Sequence, residues 1–162
     1  ESVAEHSWRM GLMAYFLRDA FPHADLTRVL LMALLHDMGE VFTGDIPTFE
    51  KTADDRTREH RLRDAWIHSL PAPYAAEVRA LFAEMDAMET EEAKIVKALD
   101  RMEAVITHNE GDPHTWLPLE YDLQRTYGVK EAAFTPVLKE LRAEVNREVD
   151  EVIAGLNKET EL

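Results

Sequence analysis

The run Val29-Leu30-Leu31-Met32-Ala33-Leu34-Leu35 passes without a break into His36-Asp37-Met38-Gly39-Glu40. A stretch that is apolar on all sides predicts a helix buried on every face. Such a helix is not expected to finish in adjacent His and Asp residues unless both find partners, because an unpaired buried charge is costly. Neighbouring helical residues point about 100° apart, so His36 and Asp37 can meet on one ion only if it lies to one side. Other elements must then complete its shell. The alternative is an ordinary polar helix terminus.

Helical periodicity extends outward in both directions, and no run alternates apolar and polar residues convincingly enough for a strand. Upstream, residues 3–20 predict a helix with Val3, His6, Met10, Met13 and Leu17 on one stripe, ended by Phe21-Pro22. Asp25 or Thr27 then starts the helix that contains the apolar run. Downstream, Thr43-Gly44-Asp45-Ile46-Pro47-Thr48 is punctuated as a loop. A charged helix follows at 54–69, and Pro71 and Pro73 break it and open another at 73–85. A helix from Thr90 to His108 buries Ile95, Leu99, Met102 and Ile106. Residues 109–118 form a loop, 116–127 hold a short helix, and 134–157 close the chain as a long amphipathic helix. With no internal repeat or composition break, the expectation is one all-α domain over residues 1–162, a helical bundle.

The chain has 162 residues, 46% hydrophobic and 31% charged, which suits one globular unit with a real core. A net charge of −14 argues against nucleic acid polymers, whose binding rests on Lys and Arg at phosphates. A small phosphorylated substrate remains open, since one cation and a few basic groups reverse a local field. Much of the acid falls in segments 84–92 and 140–161, which read as solvated helix faces. No apolar run approaches the ~20 residues needed to cross a bilayer, and no secretory signal is visible. Cysteine is absent, which excludes disulfides and thiolate ligands, so any metal is held by nitrogen and oxygen. A cytoplasmic protein is the expected class.

Three candidate positions stay open on the residues alone. His6 lies on an apolar stripe, where a histidine is either a ligand or a hydrogen-bonded core residue. Asp100 sits at the margin of its helix's apolar face, where a solvated Asp is ordinary and periodicity does not select it over Glu103. Glu40 follows His36 by four residues and faces the same side if the helix persists that far.

Three blocks together are more specific. Glu1-Ser2-Val3-Ala4-Glu5-His6-Ser7-Trp8, then His36-Asp37-Met38-Gly39-Glu40 with Gly44-Asp45-Ile46, then Glu92-Ala93-Lys94-Ile95-Val96-Lys97-Ala98-Leu99-Asp100 occur in this order. The chain thereby resembles the HD-domain superfamily of metal-dependent phosphohydrolases, and more narrowly its 5′-deoxynucleotidases. The resemblance implies an HD-type helical bundle with one metal site between helices, ligated by His6, His36, Asp37 and Asp100. Two imidazoles and two carboxylates suit a divalent transition ion such as cobalt, manganese, zinc or iron rather than magnesium or calcium.

The same resemblance implies a catalytic role for Glu40, which positions or deprotonates the attacking water, and a role for Asp45 near the substrate's sugar and phosphate. Glu40 as a helix-end carboxylate and Asp45 as a turn residue are the plain alternatives. Thr43 could reach the same pocket. His60 and His68 match no second-metal motif and read as surface residues. In the family, substrate-contacting arginine and aromatic groups come from a helix preceding the His6 block, which lies before Glu1; Trp8 and Arg9 are not assigned those roles. The implied activity is hydrolysis of deoxyribonucleoside 5′-monophosphates by a homodimer with a small-molecule nucleotide substrate. Rival readings are an HD enzyme acting on triphosphates or cyclic diesters, and a non-catalytic helical module with a structural metal.

Overall fold

The computed structural model describes residues 2–44 and 46–160, and it is all-α with no strand among them. Asp45 therefore lies outside the described residues. Helix α1 (Val3–Leu17) begins at Ser2, whose hydroxyl accepts the Glu5 amide while the Glu5 carboxylate accepts the Ser2 amide. Its expected last turn tightens into a 3-10 helix, Arg18–Ala20. Helix α2 (Leu26–Leu35) is capped by Asp25. A short α3 (Glu40–Thr43) occupies part of the segment expected to be loop. Helix α4 (Ala53–Ser69) starts in a second reciprocal cap, Thr52 with Asp55. Helix α5 (Ala72–Ala87) opens behind Pro71.

Helix α6 (Glu91–Glu110), capped by Thr90, is the centre of the fold, packing against α1, α2, α5, α8 and α9. It runs into the segment expected to be loop. A 3-10 turn (Pro113–Thr115), α7 (Glu120–Thr126) and α8 (Val129–Ala132) then lead to α9 (Pro136–Thr160). No sequence signal had distinguished α8.

Two apolar clusters form the interior. One joins Met10 and Ala14 of α1, Val29, Met32 and Ala33 of α2, and Ile95, Leu99 and Met102 of α6. The other joins Val105 to Trp116 and to Val145, Val149 and Ile153 of α9. The expectation of a helix buried on every face fails for α2. It leans on α1, α5 and α6, and Leu31 and Leu34 on its remaining side are 43% and 54% exposed. Trp8, Leu12, Tyr15 and Phe16 of α1 are exposed as well. An all-apolar run reports that a helix has no polar face, not how many neighbours cover it.

The acidic segment 84–92 is not wholly solvated either. Glu84 is paired with Arg28 and accepts the Thr90 hydroxyl at 2.7 Å.

Candidate metal centre

The end of α2 does not uncoil. The His36 amide donates to the Met32 carbonyl at 2.9 Å, Met38 to Leu35 at 3.0 Å and Glu40 to Asp37 at 2.9 Å. The chain thus keeps turning, with tightened i→i+3 bonds, from α2 into α3. The corner packs closely on α4 at Gly39, where a Cβ would lie 3.3 Å from both Cβ and carbonyl oxygen of Glu59.

This corner brings His36 and Asp37 against His6 of α1 and Asp100 of α6. The two imidazole Nε2 atoms stand 3.2 Å apart. Asp37 Oδ2 lies 3.1 Å from His36 Nε2 and 3.7 Å from His6 Nε2. Asp100 Oδ1 lies 3.5 Å from His6 Nε2 and 3.9 Å from that of His36. His6, His36 and Asp37 offer donor atoms close enough to hold one ion; Asp100 falls outside that group, although its Oδ1 borders both imidazoles.

The opposite edges of the two rings decide what those nitrogens can do. His36 Nδ1 lies 2.9 Å from the Ala33 carbonyl, which can only accept, so that nitrogen carries the proton. His6 Nδ1 is held by the Glu103 carboxylate. With both Nδ1 atoms protonated, two neutral rings would point lone pairs at each other across 3.2 Å. Only a cation between them, a proton or a metal ion, relieves that. The donor set therefore fits a divalent ion, and Glu103 behind His6 is the kind of carboxylate–histidine pair that orients an imidazole toward a metal.

The electrostatics agree. Burial works against protonated His6, but its hydrogen bonds to the Asp100 and Glu103 carboxylates outweigh it and raise its pKa to about 10. For His36, burial is likewise overcome, chiefly by Asp37, and the ring is pushed up. Burial would raise Asp100, yet His6 and Lys97 hold its carboxyl well below the usual range. Lys97 Nζ takes the outer oxygen, Oδ2, at 2.6 Å, leaving Oδ1 toward the imidazoles.

Glu103 is fully buried and was not selected from the sequence. Its signal was there, a charged residue four after Leu99 and seven after Val96 on a buried stripe. Its other oxygen accepts the Thr107 hydroxyl at 2.9 Å and faces Arg9 Nε at 3.3 Å. Glu103→Gln removes the charge and presents an amide to these donors. We expect divalent-metal affinity, measured by chelator competition, to fall about 10- to 100-fold. An unchanged affinity would remove Glu103 from the site.

Glu40 sits beside the cluster, and Lys51 Nζ bridges it to buried Glu59 at 2.7 and 2.8 Å. Burial opposes the Lys51 charge, but Glu40 and Glu59 raise its pKa and keep it an ammonium. Lys51 is a second residue that sequence reasoning missed, since nothing local marks a lysine in a turn. Thr43 closes α3 with its hydroxyl toward the Gly44 carbonyl at 3.2 Å, and is not among the described residues lining the cleft. His60 and His68 are exposed on α4. Arg9 turns to Glu103 and Glu110, and Trp8 is 65% exposed.

The cluster floors an open cleft of about 430 Å³, whose walls include Glu40, Lys51, Lys97, Arg101 and Tyr127. That volume suits a small molecule.

A family model described as "HD domain" matches residues 1–142. The chain is 30% identical to the 5′-deoxynucleotidase HDDC2 of Bos taurus over 162 residues, covering 98% of this chain and 77% of that protein. It is 32% identical to the 5′-deoxynucleotidase hdd1 of Schizosaccharomyces pombe over 113 residues, covering 65% of this chain and 55% of that protein. Several other relatives are likewise spanned over only about half their length. Among solved structures, a predicted metal-dependent phosphohydrolase from Magnetospirillum magnetotacticum MS-1 superposes with a TM-score of 0.73 at 31% identity, over 95% of this chain and 78% of that one.

Proposed function

The chain belongs to the HD domain family, and on that premise we propose that it is a metal-dependent phosphohydrolase, a 5′-deoxynucleotidase releasing phosphate from deoxyribonucleoside 5′-monophosphates. One observation carries the reading. Two imidazoles with committed Nδ1 protons turn their Nε2 atoms toward each other and toward two carboxylates, at the floor of an open cleft. His6, His36, Asp37 and Asp100 would hold the ion, and cobalt, manganese, zinc or iron suits this set. When bound, such an ion supplies positive charge for a phosphoryl group and acidifies water. The relatives named as 5′-deoxynucleotidases support the choice of substrate.

The protein's own groups divide the remaining work. Glu40 takes a proton from the water that attacks phosphorus, and returns it to the departing 5′-oxygen of the nucleoside. Lys51 anchors Glu40 at the cleft wall through their 2.7 Å ion pair. Asp45 belongs to the same proposal, as a group near the sugar and phosphate; Thr43, which does not line the cleft, is left out of it. Basic side chains on the wall offset a chain charge of −14 where an anion must enter.

Phosphate release tests this. Chelator-treated protein resupplied with single divalent metals should hydrolyse deoxyribonucleoside monophosphates, and should stop when the metal is removed again. Activity indifferent to chelation, or confined to triphosphates or cyclic diesters, overturns it.

Lys51→Met leaves Glu40 and Glu59 without the cation between them. Removing one partner of a buried pair costs about 3 kcal/mol or more. Like-charge crowding raises a carboxylate's pKa, so the acid limb of the kcat profile should move to higher pH. An unmoved acid limb would detach Lys51 from Glu40's role.

A cytoplasmic homodimer completes the proposal. The absence of cysteine supports the compartment, and no described helix is long and apolar enough to cross a membrane. The long C-terminal helix buries Val145, Val149 and Ile153 in the chain's own core. The exposed apolar side chains of α1 and α2 offer the alternative surface. Light scattering is expected to give twice the chain mass, and Phe16→Glu to shift it toward the monomer.

A further inference from the structure

One buried charge is not accounted for by the metal cluster. Arg142 of α9 is 2% exposed, yet its partners among the described residues are neutral oxygens. It donates to the Tyr127 carbonyl at 2.9 and 2.8 Å, to the Gln124 carbonyl at 2.7 Å and to Asn146 Oδ1 at 2.6 Å. Burial pulls its pKa down, as expected for a cation held without a counter-charge. A guanidinium buried this way is costly. What it secures is a single feature, the turn between α7 and α8.

That turn forms the cleft wall beyond the metal cluster. Tyr127 carries the Arg101 guanidinium over its ring at 4.2 Å from the centroid. Gly128, at φ +78°, follows directly, and a Cβ there would come within 2.6 Å of Arg101 Cβ. Only glycine allows the turn to close onto α6 at this point. Arg101 and Tyr127 both line the cleft, and so does Gln124, whose backbone Arg142 holds. Lys51 and Lys97 on the same wall are paired with carboxylates; Arg101 forms no such ion pair among the described residues, and its Nε is buried without a partner. Arg101 also directly follows Asp100, so the stack begins one residue from the cluster.

We propose that the Arg101–Tyr127 stack, pinned by Arg142 and Gly128, is the base-binding platform of the cleft. It rests on the phosphohydrolase reading above and gives it a second end. The phosphate of a nucleoside monophosphate reaches the His–Asp cluster while its planar base lies on the Arg101 guanidinium. Guanidinium planes and aromatic rings both serve as stacking surfaces for bases.

The test separates plane from charge. Arg101→Lys keeps the charge but loses the flat fork, and Tyr127→Leu removes the support beneath it. Dissociation constants are measured by calorimetry for deoxyadenosine 5′-monophosphate and for 2-deoxyribose 5-phosphate, on manganese-loaded protein carrying Glu40→Gln to prevent turnover. In the otherwise wild-type background the nucleotide binds more tightly than the sugar phosphate. In both variants that preference falls about tenfold, within the range that stacking contributes per base. Gly128→Ala, which touches no ligand, should reduce it in the same direction by displacing Arg101. A preference that survives the variants, or equal weakening of both ligands, overturns the platform.

The two readings fail separately. Phosphate release by the unmutated enzyme with an unaffected preference sinks the platform alone. Loss of the preference in a protein that hydrolyses no monophosphate sinks the phosphohydrolase reading alone.

Discussion

Asp37→Ala is expected to lower phosphate release by about two to three orders of magnitude. Its Oδ2 stands 3.1 Å from His36 Nε2 and 3.7 Å from His6 Nε2, so it borders both imidazoles that would hold the ion. Metal-supplied charge stabilisation is of the order of several kcal/mol, and each ~1.4 kcal/mol is tenfold in rate. Asp37 is a quarter exposed and contributes no side chain to the apolar clusters, so the variant should keep its helical circular dichroism spectrum. Bound metal, measured by mass spectrometry, should fall together with activity. Full activity at full folding would take Asp37 out of the ligand set and the phosphohydrolase reading with it.

The second large effect concerns the chelator-treated protein and alkaline pH. His6 has its pKa raised from 6.5 to about 10, because Asp100 and Glu103 outweigh the burial that opposes its charge. A group whose folded pKa lies above its unfolded value stabilises fully below the unfolded pKa. That contribution drains away as pH rises through the folded one. Metal-free protein should therefore lose stability steadily from about pH 6.5 to about pH 10, by at most about 5 kcal/mol. Asp100, held below its ordinary value, works in the opposite direction, with stability present above about pH 4 and lost toward stronger acid. The two shifts describe one ion pair and are counted once. A bound ion would take over the proton's role of neutralising this cluster, and ligands that lose protons bind a metal better. Thermal melts at pH 6, 8 and 10 should thus descend for the chelated chain and stay nearly level for the manganese-loaded one. Parallel descents would mean that the cluster is not where the metal acts.

Much of the molecule was legible before any coordinates. Helical periods and end signals placed most helices to within a few residues, because caps and proline breaks are local chemistry. Asp25, Thr90 and Pro71 mark their own boundaries whatever surrounds them. The His36-Asp37 corner stood out for a similar reason, as polar groups ending an apolar run.

What escaped was everything set by a partner far along the chain. Leu31 and Leu34 are exposed because α2 lacks a neighbour on that side, and a hydrophobicity pattern does not count neighbours. Glu103 bonds a histidine 97 residues away, Lys51 reaches Glu40 and Glu59 across a loop, and Arg142 reaches back 15 residues to the Tyr127 carbonyl.

The sequence by itself determined most of the helices and the cysteine-free nitrogen and oxygen chemistry, and it marked His36 and Asp37 as a polar corner. The tertiary structure decided which nitrogens face the cluster, which carboxylate stands behind His6 and which lies in front. The physical reason is range. Propensity and capping act within one or two turns, whereas a metal centre and its supporting charges depend on helices packing into contact.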